Sequence, residues 1–526
     1  MFEFELIIIG AGINGTGVAR DAALRGLKVL LLDKGDLGGG TSSWSTRLIH
    51  GGLRYLEHAE FGLVRESLLE RETLLRIAPH LVRPLPLLIP IYQHARRGRL
   101  SLRLGMIAYD WLSVGKALPG HRMLSREEAL TNNPGLQPEG LRGAALYYDA
   151  QAEFPERLVV ENALAALEHG ARVITHAGVE RLIVENEQLQ GVRLSTGQIA
   201  TGSVIINAAG PWVDRILESA DTIPRLIGGT KGSHIVVAPF TGAPETAIYI
   251  EAKTDQRPFF IIPWNNNYLI GTTDIRYEGD LDNVRIDETE LEYLLRETNG
   301  VLPGAKLHRN DILFSYSGVR PLPFTTKTDE QSITRRHFIR AHPRYKNLFS
   351  LVGGKLTTYR SLAEETVNLV LKTLGKNAAA ASTASAALPG AAVEDFKAFC
   401  ERFKTECGLG EQTSEHLLRV YGSRAVEIGK LATEDQSLRE VFDDETGAIA
   451  AEVIYAFKEE FAQTLGDCLL RRTMVGLNSS LGVGADETAA GIAHHHLGWS
   501  EQRVRSEVST YRHSIERFQT RHLSEA

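Results

Sequence analysis

The sequence predicts an α/β chain: a parallel-sheet domain that opens on a Gly-rich strand-to-helix turn, an antiparallel-sheet domain inserted into it, and a helical C-terminal domain. Three observations predict this. "FELIIIGAGINGTGVARDAALRGLKVLLLDKGD" passes from a continuous apolar run through a Gly-spaced turn and a helical stretch to a second apolar run. Later segments rich in proline and aromatic residues, "RPLPLLIPIY" and "RPFFIIPW", have the composition of strands. Beyond a small-residue tract, "VEDFKAFCERFKTECG", "SEHLLRVYG" and "AAEVIYAFKEEF" repeat their apolar residues at helical spacing.

The first element, "LIIIG", reads as a strand buried on both faces. Gly10, Gly12 and Gly15 then make G-x-G-x-x-G where strand gives way to helix. The first glycine permits the turn, the second lets a pyrophosphate approach the backbone, and the third lets helix and strand pack closely. The helix start at Ile13 and Asn14 offers unpaired N–H groups and a partial positive charge to that anion. The helix ends at Gly26, and Asp33 closes the second strand, "KVLLLD", about 20 residues beyond the glycines, where an acid meets an adenosine ribose; Lys34 follows it. Glycines alone mark plain turns, but strand, helix, strand and acid together predict a dinucleotide site.

Two later segments bear on which dinucleotide. "VIINAAGPWVD" (Val204 to Asp214) is a strand ending in small residues, and "LFSLVGGKLTTYRSLAEE" (Leu348 to Glu365) is a strand, a Gly-Gly turn and a helix start. They resemble the late segments that, in flavoproteins of the glutathione-reductase-like fold, return to the N-terminal domain and close around the flavin. A second G-x-G-x-x-G is absent, because "GVGADE" at Gly482 has neither a preceding strand nor a third glycine. FAD is therefore the expected cofactor, with Gly210, Gly354, Lys355, Leu356 and Thr357 added to its binding residues.

With 526 residues the chain is long enough for two or three domains, and its 43% apolar and 23% charged content is that of an ordinary globular protein. A net charge of −7 argues against a general polyanion binder, so no nucleic-acid partner is expected and anion recognition must be local. Cys400, Cys407 and Cys468 suggest neither a disulfide framework nor a zinc site, and no metal is expected. The opening "MFEFELIIIGAG" lacks a basic secretory n-region, and no apolar run reaches spanning length.

"GTSSWSTRLIHGGLRYLEH", "KGSHIVV", "IPWNNNYLIGTTD", "YSGVRPL", "SITR" and "GGKLTTYR" occur in that order, and "LLRRT" follows in the helical tail. Together they resemble the aerobic, FAD-dependent glycerol-3-phosphate dehydrogenases over roughly residues 1–375 and, more weakly, in the tail. The resemblance implies oxidation of sn-glycerol 3-phosphate to dihydroxyacetone phosphate, with hydride to the flavin N5 and electrons to a membrane quinone. It implies that Arg54, Tyr55, Arg320, Arg335 and Lys355 surround the phosphate and the three-carbon body. It also implies that Thr41, Ser42 and Ser43 donate to the cofactor.

The residue types suit that chemistry. A phosphate calls for guanidinium groups that bind two of its oxygens at once. Arg54, Arg320 and Arg335 lie in Gly- or Pro-marked turns, and Arg320 is also counted with the catalytic residues. A surface arginine paired to a carboxylate is the plain alternative, strongest for Arg335 because basic residues follow it. His50 and His234 are candidate proton acceptors, because neutral imidazole titrates near working pH; His50 is preferred because it lies on the loop leaving the dinucleotide motif. Glu57 and His58 are expected on a helix that starts near Leu53.

The expected FAD domain combines residues 1–75, 145–225 and 340–375; residues 76–144 and 226–339 form the antiparallel substrate domain, 377–392 a linker, and 393–526 the helical domain. Within 95–116, Leu100, Leu104, Ile107 and Trp111 make an apolar stripe, and Arg96, Arg97, Arg99, Arg103 and Lys116 make the segment basic. Such a helix lies in the headgroup plane of an anionic membrane or packs on the protein's own core. Gly98 and Gly105 are expected to weaken it. The resemblance favours monotopic attachment to the cytoplasmic face of a bacterial membrane, and a homodimer is compatible with it. Rival readings are an oxidase passing electrons from the same substrate to oxygen, an amine or amino-acid oxidase, and a flavin-binding sensor without turnover.

Overall fold

The parallel sheet forms where apolar runs can be covered on both faces. In the computed structural model, strand Phe4–Ile9 lies between Val29–Leu32 and Ile199–Asn207, all parallel, and Arg172–Ile174 and Leu348–Val352 extend the sheet on either side. Phe338–Ala341 adds an antiparallel edge, and the hairpin of Val179–Glu185 with Gln188–Leu194 continues from Ile199–Asn207. Leu6 and Ile8 pack with helices Ile13–Leu24, Pro155–Glu168 and Tyr359–Thr373; Ile7 and Ile9 pack on the hairpin side. The structure describes residues 3–520 other than 57–59, 94, 96–97, 114–116, 187, 222–223, 327–332 and 378. Glu57, His58, Arg96, Arg97, Lys116 and Ser332 of the motifs above lie outside the described residues.

The second sheet contains Val82–Tyr92, Leu141–Ala152, Thr230–Val237, Ala247–Glu251, Pro258–Trp264, Asn267–Gly271 and Ile312–Arg320. Its pairs are antiparallel apart from the parallel contact of Ala247–Glu251 with Val82–Tyr92. Leu141–Ala152 pairs with Val82–Tyr92 from end to end, so residues 145–152 belong to this sheet and not to the FAD domain. Alternating residues in a strand give no sign of which sheet receives them; the partner strand decides. Leu48–Ile49 joins the same edge, which ties "RLIHGG" to this roof.

The third unit runs through helices from Phe396–Glu406 to Glu501–Ile515, with a small strand pair, Val441–Asp443 and Ala448–Ile449. Its apolar core is continuous with Trp44, Leu87 and Tyr316 of the roof. Buried ion pairs fasten it. Arg157 grips Glu460 at 2.6 and 2.7 Å, and Asp36 accepts from Arg471 at 2.5 Å and from Arg472 at 2.6 and 2.9 Å.

The linker tract 377–392 is packed against its neighbours where it is described. Arg20 Nη2 donates to Ala386 O at 2.7 Å, Leu388 N to Ile77 O at 2.9 Å, and Gly390 N to Glu161 Oε2 at 3.0 Å. Small residues, which read as flexible in sequence, allow this close approach: a Cβ on Gly390 would lie 2.3 Å from Glu161 Oε1.

Candidate active site

Four parallel strands end at one place, at Ile9, Leu32, Asn207 and Val352. Ligands in such sheets bind beyond the carboxyl ends of the strands. A cavity of about 860 Å3 opens there, walled by all three units.

At one end stands the glycine turn. Gly10 has φ +104°, and a Cβ on Gly15 would sit 1.8 Å from Gly10 O, so Gly15 serves helix packing beneath the wall and does not line the cavity. Ile13 N donates to Ser42 Oγ at 3.0 Å, while Asn14 Oδ1 is buried without a partner. Asp33 accepts from Ala11 N at 2.6 Å and Gly35 N at 2.8 Å, and lines the cavity with Gly10, Gly12, Ile13, Asn14 and Lys34. Burial pushes its carboxyl up, against the two N–H donors. Lys34 pairs with Asp282 and lies 4.1 Å from the Trp212 ring.

Thr41, Ser42, Gly210, Gly354, Leu356 and Thr357 also line the cavity. Thr41 Oγ1 already donates to Val319 O at 2.7 Å. Ser43 does not take the expected place. It is fully buried and its hydroxyl donates to Gly38 O at 2.7 Å, so it closes the loop that carries Ser42.

At the other end Asp274 bridges two arginines: Arg320 Nη1 at 3.0 Å and Arg335 Nη2 at 2.7 Å. Burial alone would raise the Asp274 carboxyl; the two guanidiniums overcome that and hold it below its ordinary range. Arg320 Nη2 also donates to Thr272 Oγ1 at 3.0 Å, and Arg335 Nη1 is buried with no acceptor. Gly232 makes room for Arg320, because a Cβ there would lie 2.2 Å from Nη2. Lys355 Nζ donates to Ser67 Oγ at 2.8 Å and stands 4.6 Å from the Tyr55 ring. Burial pulls Lys355 down to about 8. Gly52, at φ +77°, leaves the space the Tyr55 ring fills. Arg54 lies in the short turn Leu53–Leu56; it is not on the wall, but its charge acts on Tyr55 and Arg320.

Both candidate histidines face this cavity. His50 is half-buried, and its N–H donates to Thr357 Oγ1 at 3.1 Å. Burial, then Lys355 and Arg71, hold its ring well below the ordinary range. His234 stacks on Tyr316 at 4.9 Å, bonds Thr46 Oγ1 through Nε2 at 3.0 Å, and keeps Nδ1 buried and unpaired. Burial, then Arg320 and Arg47, lower it too. Arg47 is itself a fully buried strut, bidentate to Glu156 at 2.9 Å and out of reach as an anion ligand. Thr46 and the tail residues Thr510, Ser514 and Arg517 on the wall have no sequence signature; Asp274, behind the two arginines, closes a quoted motif, but a strand-end carboxylate is unremarkable by type.

One half of the arrangement is a turn shaped for a dinucleotide; the other is a buried surplus of positive charge beside two neutral imidazoles. That combination can bind a phosphorylated alcohol, hold its carbon and accept its proton.

The family model described as FAD dependent oxidoreductase matches residues 5–368, and the C-terminal domain of alpha-glycerophosphate oxidase matches residues 381–504. Glycerol-3-phosphate dehydrogenase of Synechocystis sp. is 44% identical over 98% of this chain and 96% of its own length. Aerobic glycerol-3-phosphate dehydrogenase of Escherichia coli is 38% identical over 90% of this chain and 94% of its own length. The X-ray structure of glycerol-3-phosphate dehydrogenase from Bacillus halodurans complexed with FAD has a TM-score of 0.81 and 26% identity, covering 98% of this chain and 95% of that one.

Proposed function

Since the chain belongs to the flavin-dependent glycerol-3-phosphate dehydrogenase family, with FAD as its cofactor, we propose that it oxidises sn-glycerol 3-phosphate to dihydroxyacetone phosphate and passes the electrons to a quinone at a membrane surface. The observation that carries the substrate is the Asp274-bridged pair of Arg320 and Arg335, with an unsatisfied Arg335 Nη1 and with Lys355 on the wall of the same cavity.

The cleft fits FAD. Asn14 leaves a buried oxygen unpaired, Gly10 and Gly12 keep the turn open, and Asp33 retains acceptor capacity toward the cavity. When bound, FAD supplies the hydride acceptor. Arg320, Arg335 and Lys355 bind the phosphate, Arg54 adds charge nearby, and Tyr55 bounds the carbon chain. His50 accepts the hydroxyl proton. Its side chain opens on the cavity, whereas His234 has Nε2 taken by Thr46 and Nδ1 shielded. Burial first, and the neighbouring cations second, keep His50 neutral; a bound phosphate offsets the cations, so its proton affinity rises when substrate arrives.

Membrane docking is supported by helix Arg99–Trp111. It turns Leu102, Met106 and Tyr109 inward and leaves Leu100, Leu104, Ile107 and Trp111 exposed at 72, 60, 49 and 75%. An apolar stripe on a helix with Arg99 and Arg103 suits insertion among anionic headgroups, on the cytoplasmic face in this reading. Among the described residues no helix is long and apolar enough to cross a membrane.

The test is anaerobic addition of sn-glycerol 3-phosphate to the purified protein. The flavin absorbance should bleach, recover at once with a soluble quinone and recover slowly in air. Fast recovery in air makes the protein an oxidase; no bleaching refutes the substrate.

A further inference from the structure

Most arginines on the cavity wall are answered by a carboxylate: Arg47 by Glu156, Arg320 and Arg335 by Asp274, and Arg471 by Asp36 and Asp467. Lys34 has Asp282. Arg285 and Arg517 differ, with no carboxylate partner among the described residues. Arg285 is exposed and spends its Nε–H on Asn283 Oδ1 at 2.9 Å. Arg517 is the sharper case, because its Nε is buried and bonded to nothing.

Arg517 is not a loose tail residue. Ile515 and Phe518, at 1 and 4% exposure, are buried on either side of it, and Ser315 Oγ donates to Phe518 O at 3.3 Å. Its guanidinium lies 5.2 Å from the Trp44 ring. Trp44 follows the loop whose Ser42 hydroxyl holds the Ile13 N–H at the glycine turn. Arg517 is thus held by the helical domain against the loop that closes the dinucleotide turn. Burial and the neighbouring Arg471 and Arg285 pull it down to about 10, so it keeps its charge at neutral pH. A partly buried cation pressed by other cations is unfavourable until an anion joins it.

The far end of the cleft already has three cations for a substrate phosphate. The glycine turn offers a dinucleotide only N–H groups and hydroxyls, and its one nearby lysine is engaged with Asp282. We propose that Arg517 is a phosphate-binding residue of the cofactor site, supplied by the C-terminal helical domain to the pyrophosphate of FAD. Arg285, exposed and so screened by solvent, adds a weaker charge from farther out. The inference rests on FAD as the cofactor and not on the substrate or acceptor proposed above.

The test is FAD release from the full-length holoenzyme, followed by the rise of flavin fluorescence on dilution, for wild type, Arg517→Met and Arg517→Lys. Loss of a charge-assisted contact should speed release about tenfold in Arg517→Met at low salt, and the gap should narrow at high salt. Arg517→Lys should stay near wild type. Unchanged release in Arg517→Met overturns the proposal; so does equal loss in Arg517→Lys, which would mean that packing and not charge is at work. Unchanged release with a raised KM for sn-glycerol 3-phosphate gives the residue to the phosphate monoester instead, and the cofactor assignment falls.

Discussion

Asp274 divides one carboxylate between two guanidiniums, so the pair keeps a surplus positive charge and a fixed separation. Asp274→Asn leaves Arg320 and Arg335 to repel each other; losing one member of such a mostly buried group costs about 3 kcal/mol, read as a fall in Tm. The rise in Tm on adding substrate should then exceed that of wild type, because the phosphate replaces the lost charge. In the proposed site Lys355 sets the alkaline limit. Its folded value is lowered by burial to about 8, so the ammonium is present below that pH and lost above it. With Lys355 as a phosphate ligand, kcat/KM falls as pH rises through about 8, and Lys355→Arg, which stays charged, moves that fall upward. A fall in the same place for the arginine variant removes Lys355 from the binding step. Arg320, Arg335 and Lys355 were named through the family resemblance, with Arg320 and Lys355 also marked by adjoining proline or glycines, and His50 by its loop after the dinucleotide motif; all four lie on the wall. Asp274 was not legible, since its partners lie 46 and 61 residues away and carry no spacing rule. Arg47 of "RLIHGG", which carried no expectation, is a strut: it is fully buried and paired to Glu156.

Helix Arg99–Trp111 shows the same division at the level of an element. Its stripe could be counted in sequence, but whether that stripe met core or solvent depended on a second stripe, Leu102, Met106 and Tyr109, which won the interior. That packing also outweighs the local cost of Gly105. Leu104→Glu and Trp111→Glu should each weaken co-sedimentation with anionic vesicles about tenfold or more, since burying one large apolar side chain is worth about 1.5–3 kcal/mol. Tm should stay within a degree or so, because both side chains are exposed. Undiminished vesicle binding would mean that the stripe is not the docking face. The inner stripe reaches the site: Tyr109 Oη donates to Asp149 at 2.8 Å and accepts from Gly51 N at 3.0 Å, next to His50. Tyr109→Phe should cost about 1–2 kcal/mol of stability and lower kcat/KM by displacing the His50 loop; a stability loss with unchanged kcat/KM would show that the loop is held without it.

Across the whole molecule the first strand–helix–strand unit and its glycine turn were predictable from local pattern, whereas the joins between units were not. Asp36 meets Arg472 across 436 residues and Arg157 meets Glu460 across 303, and no periodicity reports such pairs. That the small-residue linker is packed was hidden for a related reason: composition records what a segment lacks, not what it packs against. Asp36→Asn strands two buried guanidiniums and should cost about 4 kcal/mol, seen as a lower Tm, with excess FAD recovering part of it by mass action. If Tm hardly changes, the helical domain is held by its apolar contacts alone. The cavity wall has one further consequence, for the order of events in the cell. Gly10 is made early and Arg517 some five hundred residues later, yet both face one cleft. N-terminal units tend to fold first during synthesis, so the turn can form before the helical domain that covers it has been made. On the proposed role of Arg517, a chain cut short before helix Glu501–Ile515 would bind the cofactor loosely, and it would also lack Tyr511 and Ile515 of the apolar core.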